Sequence, residues 1–364
     1  MNNIPMVDIQ LWHKTLQSEL EEKAISVLRS GRFIMGEEVE AFEKEAANYL
    51  GARHAISCAN GTDALILALH AAGIGPGDEV LTTGFTFFAT AEAILRVGAK
   101  PVLVDIDSQT FNIDPVELER SITSHCKAVI VVHLFGLPAP MDAIRAVCDR
   151  HALLILEDCA QSFGAAYGSR KTGCHGLLGA FSFFPSKNLG GFGDGGLVIT
   201  QDHQTAETIQ MLRNHGSNYQ YHHECTGYNS RLDAIQAAML RVKLKYIDQF
   251  NNQRRQVAQW YGEYLQKSEV ICPIDTPEHV YHQYTVVLPA RRDTIKKKLA
   301  NKGIASAIYY PMPLNKQKAL SSTEEDYELP VCEQLSEHCL SLPIFPGMTE
   351  EQVKQVADAL IAAM

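Results

Sequence analysis

The chain lacks any Cys-x-x-Cys pair, and its nine cysteines are an odd number scattered from Cys58 to Cys339. That spacing offers neither a disulfide framework nor a structural zinc site. Several of the cysteines lie in apolar stretches, as buried thiols do, and point to a reducing compartment. The histidines show no ligand spacing: His222 and His223 are adjacent rather than one helical turn apart, and no metal is expected. No apolar run approaches the roughly 18 residues of a membrane span. The segment Met1-Asn2-Asn3-Ile4-Pro5 has neither the basic nor the apolar region of a secretory leader. A soluble, cytoplasmic protein without a membrane partner is the expectation. Blocks of basic residues are missing too. The formal net charge is −10, and Lys296-Lys297-Lys298 falls in a helical pattern that reads as a solvated face, so no nucleic-acid partner is expected. An anionic substrate stays possible, because local arginines and helix N-termini outweigh net charge. Neither an internal repeat nor a low-complexity segment is visible.

What the chain does have is alternation. Its 364 residues, 46% of them apolar, suffice for a large α/β domain with a smaller companion. Helical spacing is seen at 15–30 and 37–49. Strands then alternate with helices: strands at 54–58, 79–82, 100–105, 128–133 and 152–157; helices at 62–72, 87–97, 116–122 and 141–150. Near-continuous apolar strands separated by helices indicate a buried, mostly parallel sheet, and such sheets bind ligands beyond the carboxyl ends of their strands. A strand at 197–200 follows, then one long helical stretch over 231–267. Strand, helix and strand are read at 280–288, 291–301 and 303–310, and a closing helix at 350–363. The domain change is placed near Tyr246, giving 1–245 and 246–364.

The chemistry gathers at the expected strand ends. Leu153-Leu154-Ile155-Leu156-Glu157-Asp158 ends an apolar strand on an acid, and Phe181-Ser182-Phe183-Phe184-Pro185-Ser186-Lys187 ends an aromatic one on a lysine between hydroxyls and glycines. Each alone is bland, a helix cap and a solvated turn residue. Together they are what pyridoxal 5'-phosphate (PLP) needs: an amine for its aldehyde and a carboxylate for its ring nitrogen. Lys187 would be nucleophile and proton carrier, and Asp158 would favour the protonated ring. Gln161, three residues on, is within reach of the ring's phenolic oxygen if the chain turns. Asn60-Gly61-Thr62-Asp63 opens a helix; it serves equally as an ordinary cap or as a phosphate cradle, with Gly61 allowing close approach and Thr62 donating. Ser182 can add a hydroxyl. Phe87 can stack on a cofactor or simply pack in the core.

These strings, with Val104-Asp105-Ile106-Asp107, Gly193-Asp194-Gly195-Gly196, Asn229-Ser230-Arg231-Leu232-Asp233 and Tyr309-Tyr310-Pro311, run through the whole chain in order. The chain resembles the sugar aminotransferases of the DegT/DnrJ/EryC/StrS group. The resemblance implies the aspartate-aminotransferase-like α/β fold (PLP fold type I), with a mostly parallel sheet in the large domain and a smaller C-terminal α+β domain. It implies Lys187 as the cofactor lysine, Asp158 on the pyridine nitrogen, Gln161 near the phenolic oxygen, Gly61, Thr62 and Ser182 at the phosphate, and Phe87 on the ring. It further implies a homodimer with shared active sites, Asn229 reaching the partner subunit's cofactor phosphate and Arg231 that subunit's substrate. Tyr309 and Tyr310 would contact substrate; Tyr309 stands where the group commonly has histidine, a departure that bears on that contact. A dehydratase branch replaces the lysine by histidine, which Lys187 argues against.

The implied reaction moves an amino group from L-glutamate to the keto carbon of a nucleotide-linked sugar. Tyr221-His222-His223, Ser57-Cys58-Ala59-Asn60-Gly61 and Asn229 to Asp233 look like the subgroup acting at C3 of UDP-2-acetamido-3-oxo-glucuronate, for lipopolysaccharide O-antigen or another surface glycan. Alternatives are a neutral UDP-3-oxo-N-acetylglucosamine, a dTDP-linked keto-6-deoxy sugar, or, outside the class, a non-catalytic PLP-binding regulator.

Overall fold

The computed structural model describes residues 3–219, 221–323 and 327–364; Met1 and Asn2 of the N-terminal segment read above lie outside them. Two amphipathic helices come first, α1 (Ile9–Ser30) and α2 (Glu37–Leu50), and the α/β alternation follows. Strands β1 (His54–Cys58), β2 (Glu79–Thr83), β3 (Lys100–Val104), β4 (Cys126–Val132) and β5 (Leu154–Asp158) are separated by α3 (Gly61–Ala71), α4 (Ala89–Arg96), α5 (Pro115–Arg120) and α6 (Met141–His151). A two-residue hairpin, β6 (Ala166–Tyr167) and β7 (Arg170–Lys171), leads to β8 (Leu178–Ser182) and β9 (Gly196–Thr200). The seven long strands form one sheet in the order β1-β9-β8-β5-β4-β2-β3. Only β9 runs against the others, pairing antiparallel with both β1 and β8.

Alternation along the strands covers both faces. Ala55, Phe181, Leu197 and Ile199 meet α1, α2 and the later helix α8 (Ala234–Leu244) on one side. Their neighbours Ile56, Ala180 and Val198 meet α3 and α7 (His203–Leu212) on the other. Residues at a period of two thus serve two cores, which is why these strands read as continuous apolar runs. Six of the nine cysteines are buried and all nine are free thiols. Among the described residues, no helix is long and apolar enough to cross a membrane.

Beyond α7 and the short ladder of β10 (Ser217–Tyr219) and β11 (His222–His223), two expectations need correcting. The single helix expected over 231–267 is two, α8 and α9 (Ile247–Leu265). Tyr246 breaks it at φ −111° and ψ 3°, and its hydroxyl donates to Glu19 on α1 at 2.5 Å. Arg231 to Asp233 precede α8 as extended chain, since Asp233 pairs with Ile34 in an isolated bridge. The strand expected at 303–310 is also absent: Ile304 and Ala307 make single bridges to Ile4 and Ser341 and no ladder forms. A further apolar core unites α9, α12 (Glu350–Ile361) and the pair β12 (Tyr284–Val287) and β13 (Cys339–Leu342), with α10 (Arg292–Asn301) against them and α11 (Pro330–His338) before β13.

Candidate active site

The parallel register places Val132 beside Asp158 and Asp158 beside Ala180, so β4, β5 and β8 end at one edge of the sheet. Beyond that edge opens a cavity of about 850 Å³. Gly61, Thr62, Phe87, Asp158, Gln161, Ser182, Lys187, Tyr309 and Tyr310 all line it. Asn229 and Arg231 do not line the cavity of their own chain. Arg231 donates to Asn214 Oδ1 at 2.9 Å, and Asn229 is exposed and bridged to Asn214.

Asp158 is buried, and its carboxylate is fixed from two sides. Thr90 Oγ1 donates to Oδ2 at 2.8 Å and the Ala160 amide to Oδ1 at 3.1 Å. Thr86 Oγ1 lies 3.3 Å from Thr90 Oγ1, one turn back, extending the chain of hydroxyls. Lys187 follows β8 in a tight turn, its amide donating to the Phe184 carbonyl at 2.8 Å. Burial lowers its amine from 10.5 to about 8, with the Asp158 carboxylate opposing the shift. A lysine so placed is part neutral near pH 7, as a nucleophilic amine requires.

At the N-terminus of α3, Asn60 Oδ1 accepts from the Asp63 amide at 2.8 Å, so the cap exists. It uses one amide only. The Gly61 and Thr62 N–H groups begin the helix and have no intrahelical acceptor, leaving them and the helix dipole for an anion. A Cβ on Gly61 would lie 2.6 Å from Ser182 Cβ, and that close approach brings the helix end against the Ser182 hydroxyl. Ser230 fastens the neighbouring motif there, donating to Asp63 Oδ2 at 2.6 Å and accepting from the Ala59 amide at 3.2 Å. Phe87 is 60% exposed, which sets aside core packing; its ring stands 6.4 Å from that of Tyr310 at the cavity wall. Gln161 accepts from the Phe135 amide at 2.7 Å and donates to the Tyr310 hydroxyl at 3.2 Å. Burial raises the Tyr310 phenol, which therefore stays a donor.

Sequence reasoning missed Thr90, His282 and Gln283; Thr86, beside Phe87, and Asp194, in the Gly193-to-Gly196 string, were read there without a role of their own. His282 and Gln283 fall where a strand was expected from Val280. The strand begins at Tyr284, and Tyr281 has φ +45°, which breaks the two-residue alternation. Both side chains are buried in the cavity wall, and His282 Nδ1 and Gln283 Oε1 find no partner among the described residues. Burial, then Lys187 and Arg254, hold the His282 imidazole far below its ordinary value, so it is neutral. The candidate ligand cluster is His133, Glu157 and Cys159. Both His133 nitrogens are taken, by Glu157 at 2.9 Å and the Ala139 amide at 3.0 Å, and Glu157 accepts three backbone amides besides. It is a structural tie under the sheet edge.

The architecture and the cavity agree with what known proteins show. The chain belongs to the DegT/DnrJ/EryC1/StrS aminotransferase family, which matches residues 14–361. It is a PLP-dependent transaminase of nucleotide-linked sugars, with the α/β fold of those enzymes. It is 46% identical to a "pleiotropic regulatory protein" of Geobacillus stearothermophilus, covering 98% of each chain. It is also 46% identical to the UDP-N-acetyl-3-dehydro-alpha-D-glucosamine 3-aminotransferase of Acidithiobacillus ferrooxidans, covering 98% of this chain and 97% of that one. A UDP-2-acetamido-2-deoxy-3-oxo-D-glucuronate aminotransferase of Pseudomonas aeruginosa is 40% identical over 98% and 99%. Among solved structures, DesV of S. venezuelae in complex with a ketimine intermediate superposes with a TM-score of 0.96 at 41% identity, covering 100% and 98%.

The residues fit the cofactor. Free helix amides and the Ser182 hydroxyl suit a phosphate, Asp158 and Lys187 suit the ring nitrogen and the aldehyde, and the unpartnered atoms of His282 and Gln283 leave polar wall for a ligand.

Proposed function

We propose that this cavity transfers the amino group of L-glutamate to C3 of a UDP-linked 2-acetamido-3-oxo-hexose whose C6 is neutral, for surface-glycan synthesis. One observation carries the choice. The acidic lining groups are Asp63, Asp158 and Asp194, and Lys187 is the one Lys or Arg among the described lining residues. Within its own chain the cavity offers a uronate carboxylate no cation other than Lys187, and an unpaired buried charge is costly. The 46% identity to an aminotransferase named for the neutral UDP sugar supports the same choice. The uronate expected from the sequence is the second reading. Arg231, whose guanidinium stands outside its own cavity, would supply the missing cation only from a second copy in a homodimer.

Bound PLP supplies the aldehyde that accepts amines and the ring that takes up electron density. The rest falls to this chain. Lys187 holds the cofactor and moves a proton at the reacting carbon. Thr90 and the Ala160 amide aim Asp158 at the place of the ring nitrogen. Gly61, Thr62 and Ser182 hold the phosphate, with Asn229 of the partner subunit completing it. Phe87 packs on the ring face; Gln161 and Tyr310 donate at its oxygen. Tyr309, the neutral His282 and Gln283 offer hydrogen bonds to sugar hydroxyls or to donor carboxylate.

The test is a panel of 3-keto sugar nucleotides with saturating glutamate. The neutral UDP-3-oxo-N-acetylglucosamine should exceed its C6 carboxylate counterpart by about tenfold or more in kcat/KM, roughly 1.4 kcal/mol. A preference for the uronate that vanishes in Arg231→Lys would install the second reading. Glutamate-dependent bleaching of cofactor absorbance separates both from a regulatory protein, which would bind PLP and leave it unchanged.

A further inference from the structure

Helix α8 grips the Lys187 loop at two points seven residues apart, on one face. Gln236 Oε1 accepts from the Phe192 amide at 2.8 Å, and the Lys243 ammonium donates to the Gly190 carbonyl. Between them the loop folds tightly. The Gly191 amide donates to the Phe183 carbonyl at 2.7 Å, and a Cβ on Gly190 would lie 2.3 Å from the Pro185 carbonyl. Lys243 is completely buried, though lysine is almost never so without a partner. No carboxylate pairs with it among the described residues. Its surroundings are the ring of Trp12 at 4.3 Å, that of Phe192 at 5.4 Å and His13 Nε2 at 3.2 Å. A buried ammonium without an acid is costly, so its retention asks for a reason.

We propose that Lys243 is a positioning residue: through the Gly190 carbonyl it holds the Lys187 loop in register with Asp158, by a contact that weakens when its ammonium loses its proton. Burial lowers Lys243 from 10.5 to about 7. His13, on α1, is the titratable group facing it. Burial and then Lys243 hold His13 at about 4, so near neutrality its imidazole is uncharged and accepts. Below about pH 7 the ammonium donates a charge-assisted bond and lies over Trp12; above it the amine keeps a weaker bond and the ring attraction is gone. The inference rests on Lys187 being the cofactor lysine.

Two variants of the holoenzyme test it. Lys243→Met keeps shape and removes the donor; Lys243→Gln keeps a neutral donor. Lys243→Met should lose about tenfold or more in kcat, as small misplacements near chemistry do, and Lys243→Gln should recover most of it. Trp12 is one of two tryptophans. In a Trp260→Phe background its emission should step near pH 7, and the step should vanish in both variants. Full turnover in Lys243→Met, a Gln variant no better than Met, or a step that survives in either would overturn the proposal. Lys187→Ala, run beside them, reads the site separately: turnover lost there with Lys243→Met unimpaired defeats only the positioning role.

Discussion

Lys187 carries a pH signature that a surface lysine lacks. Burial lowers its amine to about 8. Between that value and 10.5 the unfolded chain binds a proton that the folded chain does not, so this residue's contribution to stability rises with pH through that window. The neutral fraction is about a tenth at pH 7, and the rate of PLP capture should climb with pH, pass half its maximum near pH 8 and level off above about pH 9. A rate still rising past pH 10 would place Lys187 in open water. Asp158 offers a second handle, because Thr90 aims it at 2.8 Å. Thr90→Val should lower kcat about tenfold and cost roughly 1–2 kcal/mol in unfolding free energy; full turnover would show that the Ala160 amide suffices. Lys187 and Asp158 were legible in the sequence because Asp158 ends one apolar strand and Lys187 follows the end of another within a single turn. Thr90 was not, since a helical threonine becomes significant only once the fold sets it against Asp158.

At the scale of elements, most strands of the sheet were legible because each is an apolar run bounded by turns, and β1 was placed to the residue; β8 was not, since it spans Leu178–Ser182 and the aromatic run read as strand through Lys187 leaves it after Ser182. What failed depended on contacts between distant segments. Tyr246 breaks a continuous helical pattern where its hydroxyl meets Glu19, and the positive φ at Tyr281 turns an apparent strand into cavity wall. The N-terminus of α3 supplies the sharpest test of an element's placement. Gly61→Ala pushes a methyl into Ser182 Cβ, so α3 must back away from β8. The expected result is a loss of about 1–3 kcal/mol in stability and a weaker PLP affinity by spectrophotometric titration. Adding Ser182→Gly should restore stability and leave affinity low, because room returns and the hydroxyl does not. Affinity restored along with stability would show that the Ser182 hydroxyl holds no phosphate.

The whole molecule leaves Asn229 and Arg231 outside their own cavity, and we attribute this to a site completed by a second copy. Verified hybrids of Lys187→Ala and Arg231→Ala chains should regain activity through one intact site, and hybrids as inactive as their parents would assign Arg231 a role within its own chain. The central claim is that this cavity moves nitrogen from glutamate to C3 of a nucleotide sugar by way of Lys187. The most direct measurement supplies 15N-glutamate and UDP-3-oxo-N-acetylglucosamine to the holoenzyme and follows the label by mass spectrometry and NMR. The account expects 15N at C3 of the sugar, stoichiometric 2-oxoglutarate, and neither with Lys187→Ala. Label retained in glutamate while the ketosugar stays unchanged, or transfer undiminished in Lys187→Ala, would contradict it.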